Sequence, residues 1–207
     1  MPACGVILVF HGLTFFRWGV AGAAFQIEGA AKDEGRGPSV WDALSRVTNH
    51  IVDNSTADVA DNVSSCSLIN EILMYAHTRQ NYYLYKEDIS RLAAQGVKIY
   101  SFSLSWSRIL PFGRGPVNQL AIDHYNDLID TCIEYGVEPS ITLYHWDTPL
   151  VLQDTYGGWL SEDIVPDFVE YARIAFEAFG DRVEKWYTVS RGHQSSKNVF
   201  SLMQMHR

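Results

Sequence analysis

Four side chains of this sequence are suited to recognising a small polar ligand, because each follows a predicted strand. They are Gln26, Arg108, His145 and Trp146. An amide, a guanidinium and an imidazole form hydrogen bonds in defined directions, and an indole offers a flat apolar face. The amide, imidazole and indole together suit a polyhydroxylated ring, with bidentate hydrogen bonds to neighbouring hydroxyls and the indole against the C–H face.

Taken singly, the same residues have ordinary structural interpretations. Arg108 fits a surface or helix-capping charge equally well, and a lone histidine such as His145 is more often part of the core. Gln26 and Glu28 can bond to the backbone of their own loop, and for Glu28 we favour that interpretation. Tryptophans are more often core residues than sugar platforms, which applies to Trp41, Trp106, Trp146 and Trp159. The ligand-binding interpretation therefore depends on the shared position at strand ends.

The strand that organises the chain lies within Val137–Asp147, with the sequence VEPSITLYHWD. It follows Gly136 and is apolar and β-branched through its centre, which is typical of a buried parallel strand. His145 and Trp146 then fall at its carboxyl end. In α/β folds, ligand-binding groups gather at that end of the sheet.

The other elements repeat one order: helix, glycine, apolar strand. Glycine ends a helix at Gly96, Gly136 and Gly180, and strands start near residues 97, 137 and 183. That spacing predicts repeated βα units with a parallel sheet. The predicted strands are Phe15–Phe25, Val97–Trp106, the organising strand and Asp181–Val189. The predicted helices are Ser39–Leu44, Tyr82–Gln95, Gln119–Tyr135 and a segment from Ser161 to Phe179, and Gln153–Trp159 is predicted as a loop.

The helix over Gln119–Tyr135 has the clearest amphipathic pattern. Its apolar side chains recur at helical spacing, and we predict that one face buries Leu120, Tyr125, Leu128, Ile129, Cys132 and Ile133. Ser39 and Ser161 are the predicted N-caps of their helices.

Composition narrows the possible functions. The net charge of −8 disfavours nucleic acid and anionic membranes, and no apolar run is long enough to span a bilayer. Three cysteines and seven histidines show no metal-ligand spacing, so we expect reduced thiols, no metal and no cofactor. The apolar patch Gly5–Phe10 lacks a basic flank, which predicts a cytoplasmic protein, with secretion as the open alternative.

Several long motifs, in order, resemble glycoside hydrolase family 1, the β-glucosidase family. They are FRWGVAGAAFQIEGAAKDEGRGPSVWD, YKEDI, FSLSWSRILP, HYNDLID, EPSITLYHWDTP, YGGWL and FGDRVEKWYTV. The resemblance implies a (β/α)₈ barrel and a retaining mechanism on β-linked glucosides. It also implies that Gln26 and His145 bond to sugar hydroxyls, that Trp146 lies beside them, and that Arg108 supports the nucleophile.

The resemblance is incomplete at the catalytic residues. Retaining enzymes of this kind use two carboxyl groups about 5–5.5 Å apart. The family's acid/base glutamate lies in an Asn-Glu-Pro motif after the fourth strand, but here Val189 is followed by Ser-Arg-Gly. The family's nucleophile belongs to a later strand. We therefore assign neither role to any residue, and we expect a partial barrel of about four βα units that is inactive.

Two segments do not resemble the family: residues 63–80 and the tail from about residue 189. The family-like part is otherwise residues 14–189, within one partial domain over 1–207. Val63-Ser64 and Val189-Ser190 can be encoded as GTAAGT, an intron start, and Gln80 as CAG, an intron end. The 18 residues of the insert would also keep the reading frame. We therefore interpret both segments as translated introns, and a genuine loop with a genuine terminus remains the alternative.

Other functions remain as alternatives. A four-stranded sheet with open edges predicts self-association. The same subsite without catalysis predicts a sugar-binding product that is lectin-like or regulatory. A non-functional truncated product of a mis-spliced gene is the other alternative. A flavodoxin-like nucleotide binder would share the parallel sheet, but no glycine-rich phosphate loop follows the first or second strand.

Overall fold

The computed structural model describes residues 16–46 and 81–190. Four strands and seven α-helices are defined there, with two short 3₁₀ turns at Asp33–Gly35 and Gly158–Leu160. In chain order they are β1 (Gly19–Gly22), α1 (Ala24–Ile27), α2 (Val40–Ser45), α3 (Asn81–Ala94), β2 (Ile99–Ser103), α4 (Trp106–Ile109), α5 (Gln119–Glu134), β3 (Glu138–Tyr144), α6 (Leu150–Tyr156), α7 (Ile164–Phe179) and β4 (Lys185–Val189).

The four strands form one parallel sheet in the order β1-β2-β3-β4. Gly19 is opposite Ile99, Ile99 is opposite Glu138, and Ser140 is opposite Lys185. Successive neighbours with helical crossovers are the arrangement that repeated βα units predict. The prediction of a parallel sheet is therefore confirmed, although β1 is shorter than the predicted Phe15–Phe25.

The hydrophobic core lies between the sheet and the helices α3, α5 and α7. Ile141 and Leu143 of β3 contribute to it together with Trp106, which stacks on Tyr171 with ring centroids 5.0 Å apart. Helix α5 buries Tyr125, Leu128, Ile129 and Cys132 as predicted. Leu120 and Ile133 are exposed instead, so the buried face of α5 is narrower than its apolar pattern indicates.

The segment predicted as a loop over Gln153–Trp159 is largely helical, so that prediction is wrong. Helix α6 runs from Leu150 to Tyr156 and ends at Gly157, whose φ of 85° is left-handed. A glycine in this conformation is a common helix terminus. The N-cap prediction for Ser161 is also displaced: α7 starts at Ile164, and Ser161 Oγ accepts a hydrogen bond from the backbone N–H of Asp163 at 3.2 Å.

An ionic contact joins three strands at the amino end of the sheet. The carboxylate of Glu138, the first residue of β3, contacts Arg17 Nη1 at 2.5 Å and Lys185 Nζ at 2.6 Å. Arg17 precedes β1 and Lys185 begins β4. These two cations lower the pKa of Glu138, with Lys185 contributing most. Residues 63–80 and the tail after Ser190 lie outside the described residues.

Candidate functional site

Gln26 lies on the short helix α1, four residues after the end of β1. Its side chain is exposed. The helix is joined to β2 through the backbone N–H of Ala24, which donates to Ser103 Oγ at 2.8 Å. Gln26 is therefore presented at the carboxyl edge of the sheet, where the sequence predicts it.

His145 and Trp146 directly follow β3 at the same edge. His145 is half-buried, and burial lowers the pKa of its imidazole, so the neutral form is favoured. Trp146 has a φ of 70°, a left-handed conformation that costs a non-glycine residue on the order of 1–2 kcal/mol. Its indole N–H donates to the backbone carbonyl of Ser190 at 2.8 Å. The loop after β3 is thus tied to the end of β4.

Arg108 follows β2 on helix α4 and is completely buried. Its Nε donates to Glu28 Oε2 at 3.1 Å, and Nη2 donates to the carbonyls of Gly29 and Ala30. The guanidinium also lies 4.1 Å from the ring centre of Tyr82. A surface or capping role is therefore excluded. Among the described residues, Nη1 has no hydrogen-bond partner.

Glu28 is the partner that the sequence interpretation missed. We expected this residue to bond to its own loop, but its carboxylate is buried and binds side chains from two other elements. Oε2 pairs with Arg108, and Oε1 accepts from the hydroxyl of Tyr125 at 2.6 Å. Tyr125 in turn accepts the backbone N–H of Ser105 at 2.9 Å. One carboxylate thus connects the turn after β1 with α4 and α5.

A second buried ion pair lies beside the first one. Arg36 Nη2 donates to Asp42 Oδ2 at 2.9 Å, and the same oxygen accepts the N–H and hydroxyl of Ser39 at 2.6 and 2.8 Å. These contacts confirm Ser39 as the start of α2. The loop 36–40 is also fixed to the sheet, since Gly37 N–H donates to the carbonyl of Ser107 at 2.8 Å.

Asp147 is a buried carboxyl group close to this region. It is almost fully covered, and neither carboxyl oxygen has a hydrogen-bond partner among the described residues. Burial raises the pKa of Asp147 to about 7, because the charged form is poorly solvated. The neutral acid is therefore strongly favoured below that pH.

The structure thus places the four predicted residues at the ends of β1, β2 and β3 but gives them two different environments. Gln26, His145 and Trp146 are accessible to a ligand, whereas Arg108 lies behind them in a buried ionic cluster. Within residues 16–46 and 81–190, no group of histidine, cysteine and acidic side chains has the arrangement of a metal site. No helix in the same ranges is long and apolar enough to cross a membrane.

The parallel sheet, with its helices between successive strands, defines an α/β protein. A sequence profile of glycosyl hydrolase family 1 matches residues 13–205. The chain therefore belongs to glycosyl hydrolase family 1. The matched range includes residues 63–80 and continues past Val189, so it does not separate the two segments that we predict to be foreign.

Two plant relatives illustrate the similarity. The chain is 46% identical over 175 residues to coniferin β-glucosidase from Pinus contorta, which covers 84% of this chain and 31% of the relative. It is 44% identical over 178 residues to β-glucosidase 34 from Oryza sativa subsp. japonica, covering 86% and 31%. The chain thus spans about a third of the length of these relatives.

Solved structures agree with this assignment. A rice β-glucosidase matches with a TM-score of 0.73 and 44% identity, over 84% of this chain and 32% of that one. A β-glucosidase from Thermotoga maritima, in complex with castanospermine, matches with a TM-score of 0.74 and 40% identity, over 87% and 37%. The four-stranded sheet is accordingly part of a (β/α)₈ barrel, as the sequence predicts.

Proposed function

We propose that this chain carries part of the sugar-binding site of a retaining β-glucosidase. In this proposal Gln26 and His145 bond to vicinal hydroxyls of a glucoside, and the indole of Trp146 lies against its C–H face. The position of these three accessible side chains beyond the carboxyl ends of β1 and β3 carries the proposal. Parallel barrels bind their ligands at that face.

Arg108 has a supporting role in this proposal. Its guanidinium is fixed by Glu28, two backbone carbonyls and the Tyr82 ring, so it needs no reorganisation to favour negative charge at this edge of the sheet. This fits a residue that orients and stabilises a carboxylate nucleophile.

We further propose that the chain alone does not hydrolyse glycosides. The fourth strand is followed by Ser190-Arg191-Gly192 where the family motif has Asn-Glu-Pro. The four glutamates nearest in sequence to the fourth strand also lie in the wrong places, since Glu162 precedes α7, Glu170 and Glu177 are on α7, and Glu184 precedes β4. Without a positioned acid and a nucleophile, both protonation of the leaving group and the covalent step are lost.

Incubation of the purified chain with an aryl β-glucoside tests this proposal. We expect no release of the aryl group above the uncatalysed rate, since neither catalytic carboxyl group is positioned. A complete β-glucosidase of the same family provides the positive control. Hydrolysis by the purified chain that disappears in His145→Ala and persists in Gln153→Ala would show that the chain is an enzyme.

Sugar binding without turnover is the second candidate function. It is favoured by the accessible Gln26, His145 and Trp146. Titration of the chain with glucose, followed by calorimetry, distinguishes it from a non-functional product. Saturable heat from the parent chain that is lost in His145→Ala and retained in Gln153→Ala supports binding. The absence of saturable heat from the parent chain would instead favour a non-functional fragment.

We also propose that residues 63–80 and the residues from Val189 onward derive from introns. Sequencing of the transcript tests this. Spliced messages would join Asn62 directly to Asn81 and would continue Thr188 or Val189 into an Asn-Glu-Pro sequence. A mature message that retains both segments contradicts the intron proposal and identifies the chain as a genuine product.

Two further aspects belong to the same proposal. The acidic composition favours a saccharide as the partner over nucleic acid or an anionic membrane surface. We also propose that the protein is cytoplasmic. The outer edges of β1 and β4 pair with no other strand in the described part of the chain. Unpaired edges are templates for pairing with another chain, so we propose that copies of the chain associate through them.

A further inference from the structure

A small polar pocket lies between the two buried ion pairs, beneath the loop that follows β1. It has a volume of about 20 Å³. Four polar residues line it, namely Glu28, Arg36, Asp42 and Ser105, together with Ala24, Phe25, Gly29 and Ala31. A cavity of about 10–15 Å³ is enough for one water molecule, provided that polar partners surround it.

The hydrogen bonds of Asp42 are distributed unequally between its two oxygens. Oδ2 accepts three, from Arg36 Nη2, Ser39 N and Ser39 Oγ. Oδ1 is buried and accepts none from the described residues, although Asp42 is only 2% exposed. A buried carboxylate oxygen without a donor has lost its hydration without compensation, so a donor at this position would be strongly favoured.

Ser105 has a similar surplus of hydrogen-bonding capacity. It is also buried, and its hydroxyl has one weak side-chain contact, Ser107 Oγ at 3.4 Å. Each carboxylate oxygen of Glu28 has one partner and can accept a second hydrogen bond. The lining thus offers several acceptors and a hydroxyl that can donate or accept.

The charges around the pocket determine the type of ligand. Arg36 and Arg108 each pair with one carboxylate, at 2.9 and 3.1 Å, so two cations balance two anions. An ion would therefore gain no net attraction and would still lose its hydration. A neutral molecule the size of one heavy atom, able to donate two hydrogen bonds and to accept one, fits the site.

We propose that one ordered water molecule occupies this pocket and joins the two ion pairs. It donates to Asp42 Oδ1 and to Glu28 and accepts from Ser105 Oγ. The segment that carries Arg36 and the start of helix α2, with Asp42, is thereby linked to the Glu28–Arg108 pair. This proposal is independent of any glycosidase or sugar-binding activity.

A crystal structure of the full chain at a resolution that shows ordered water is the direct test. We expect one density peak within about 3.2 Å of Asp42 Oδ1 and of either Glu28 or Ser105. A site without density, an ion in its place, or a protein side chain that fills the pocket would overturn the proposal.

A matched pair of variants tests the hydrogen bonds of the water, by the density peak in the crystal and by the unfolding temperature in solution. Ala31→Ser places a hydroxyl in the pocket that replaces the water, so we expect the peak to vanish with little change in the unfolding temperature. Ala31→Cys has the same branching as Ala31→Ser but carries a larger sulfur with a weak S–H donor, so we expect the peak to vanish and the unfolding temperature to fall by about 2–8 °C. Equal unfolding temperatures for the two variants would contradict the water's bridging role.

Discussion

At the scale of single residues, Asp147 should make the free energy of unfolding depend on pH. Its folded pKa of about 7 is well above the value near 3.9 of an unfolded aspartate. The unfolded chain therefore releases this proton first as the pH rises. The free energy of unfolding should fall between pH 4 and 7 and then level off, because both states are ionised above that range.

Asp147→Asn removes this titration while it keeps the shape of the side chain. We expect the variant to be more stable than the parent at pH 8, by up to about 4 kcal/mol, and nearly equal to it at pH 4. Urea unfolding at both pH values measures the difference. Asp154→Asn is the control at an exposed position. A difference that does not change with pH would show that Asp147 is ionised in the folded protein.

The pH dependence of stability that His124 contributes has the opposite sign to that of Asp147. The effect of Asp147 must therefore be measured as the difference between the parent chain and Asp147→Asn. Burial lowers the pKa of His124 to about 4, which means that the unfolded chain binds this proton first. Stability from His124 is present above pH 6.5 and is lost as the pH falls towards 4. The two effects partly cancel between pH 4 and 6.5, and only the difference between parent and Asp147→Asn isolates the carboxyl group.

The sequence predicts Gln26 and His145 at the sheet edge because their positions follow directly from strand ends. The buried pairing of Glu28 with Arg108 could not be predicted in this way. Glu28 and Arg108 are far apart in sequence, and their pairing depends on the way α1 and α4 fold back over the sheet. Charged residues between apolar neighbours were the available signal, but that pattern does not identify partners.

At the scale of elements, the loop 36–40 is held by contacts that leave no space for a side chain at Gly37. A Cβ added there would lie 2.0 Å from the backbone oxygen of Pro111. The loop also binds the segment after β3, since Val40 N–H donates to the carbonyl of Thr148 and Leu150 N–H to that of Pro38. Movement of this loop would therefore displace both Asp42 and the segment that follows β3.

Gly37→Ala should therefore destabilise the fold much more than Gly115→Ala. Gly115 has a φ of 83° and nothing within 4 Å of an added Cβ, so its substitution costs on the order of 1 kcal/mol of backbone strain. The backbone clash at Gly37 should cost at least about 3 kcal/mol. Denaturant unfolding compares the two variants, and similar losses would show that the loop moves freely away from Pro111.

Helix α6 shows why one element was not predicted. Its sequence is short, starts after a proline and ends in two glycines, which is also typical of a loop. The helix is stabilised by packing, since Leu152 is buried so close to Gly113 that a Cβ added to that glycine would lie 2.4 Å from the leucine. Longer amphipathic helices such as α5 and α7 were predicted because their periodicity extends over several turns.

At the scale of the whole molecule, self-association through the sheet edges has a measurable consequence. Tyr187 of β4 is 55% exposed, and a charge on an edge strand disfavours pairing with another chain. Light scattering should show a mass that rises with concentration for the parent chain and less so for Tyr187→Lys. Tyr135→Lys is the control, since Tyr135 is 47% exposed but follows helix α5. Equal behaviour of both variants would exclude this edge.

The pairing of β1 with β2 has a consequence for how insertions are tolerated. These neighbouring strands are joined by the long stretch of chain between Gly22 and Ile99, so the pairing closes a large loop. The entropy of closing a flexible loop grows only with the logarithm of its length, and doubling the length costs about 0.6 kcal/mol. The 18 residues at 63–80 lengthen the loop by much less than a factor of two. Polymer statistics alone therefore impose almost no penalty on an insertion of this length.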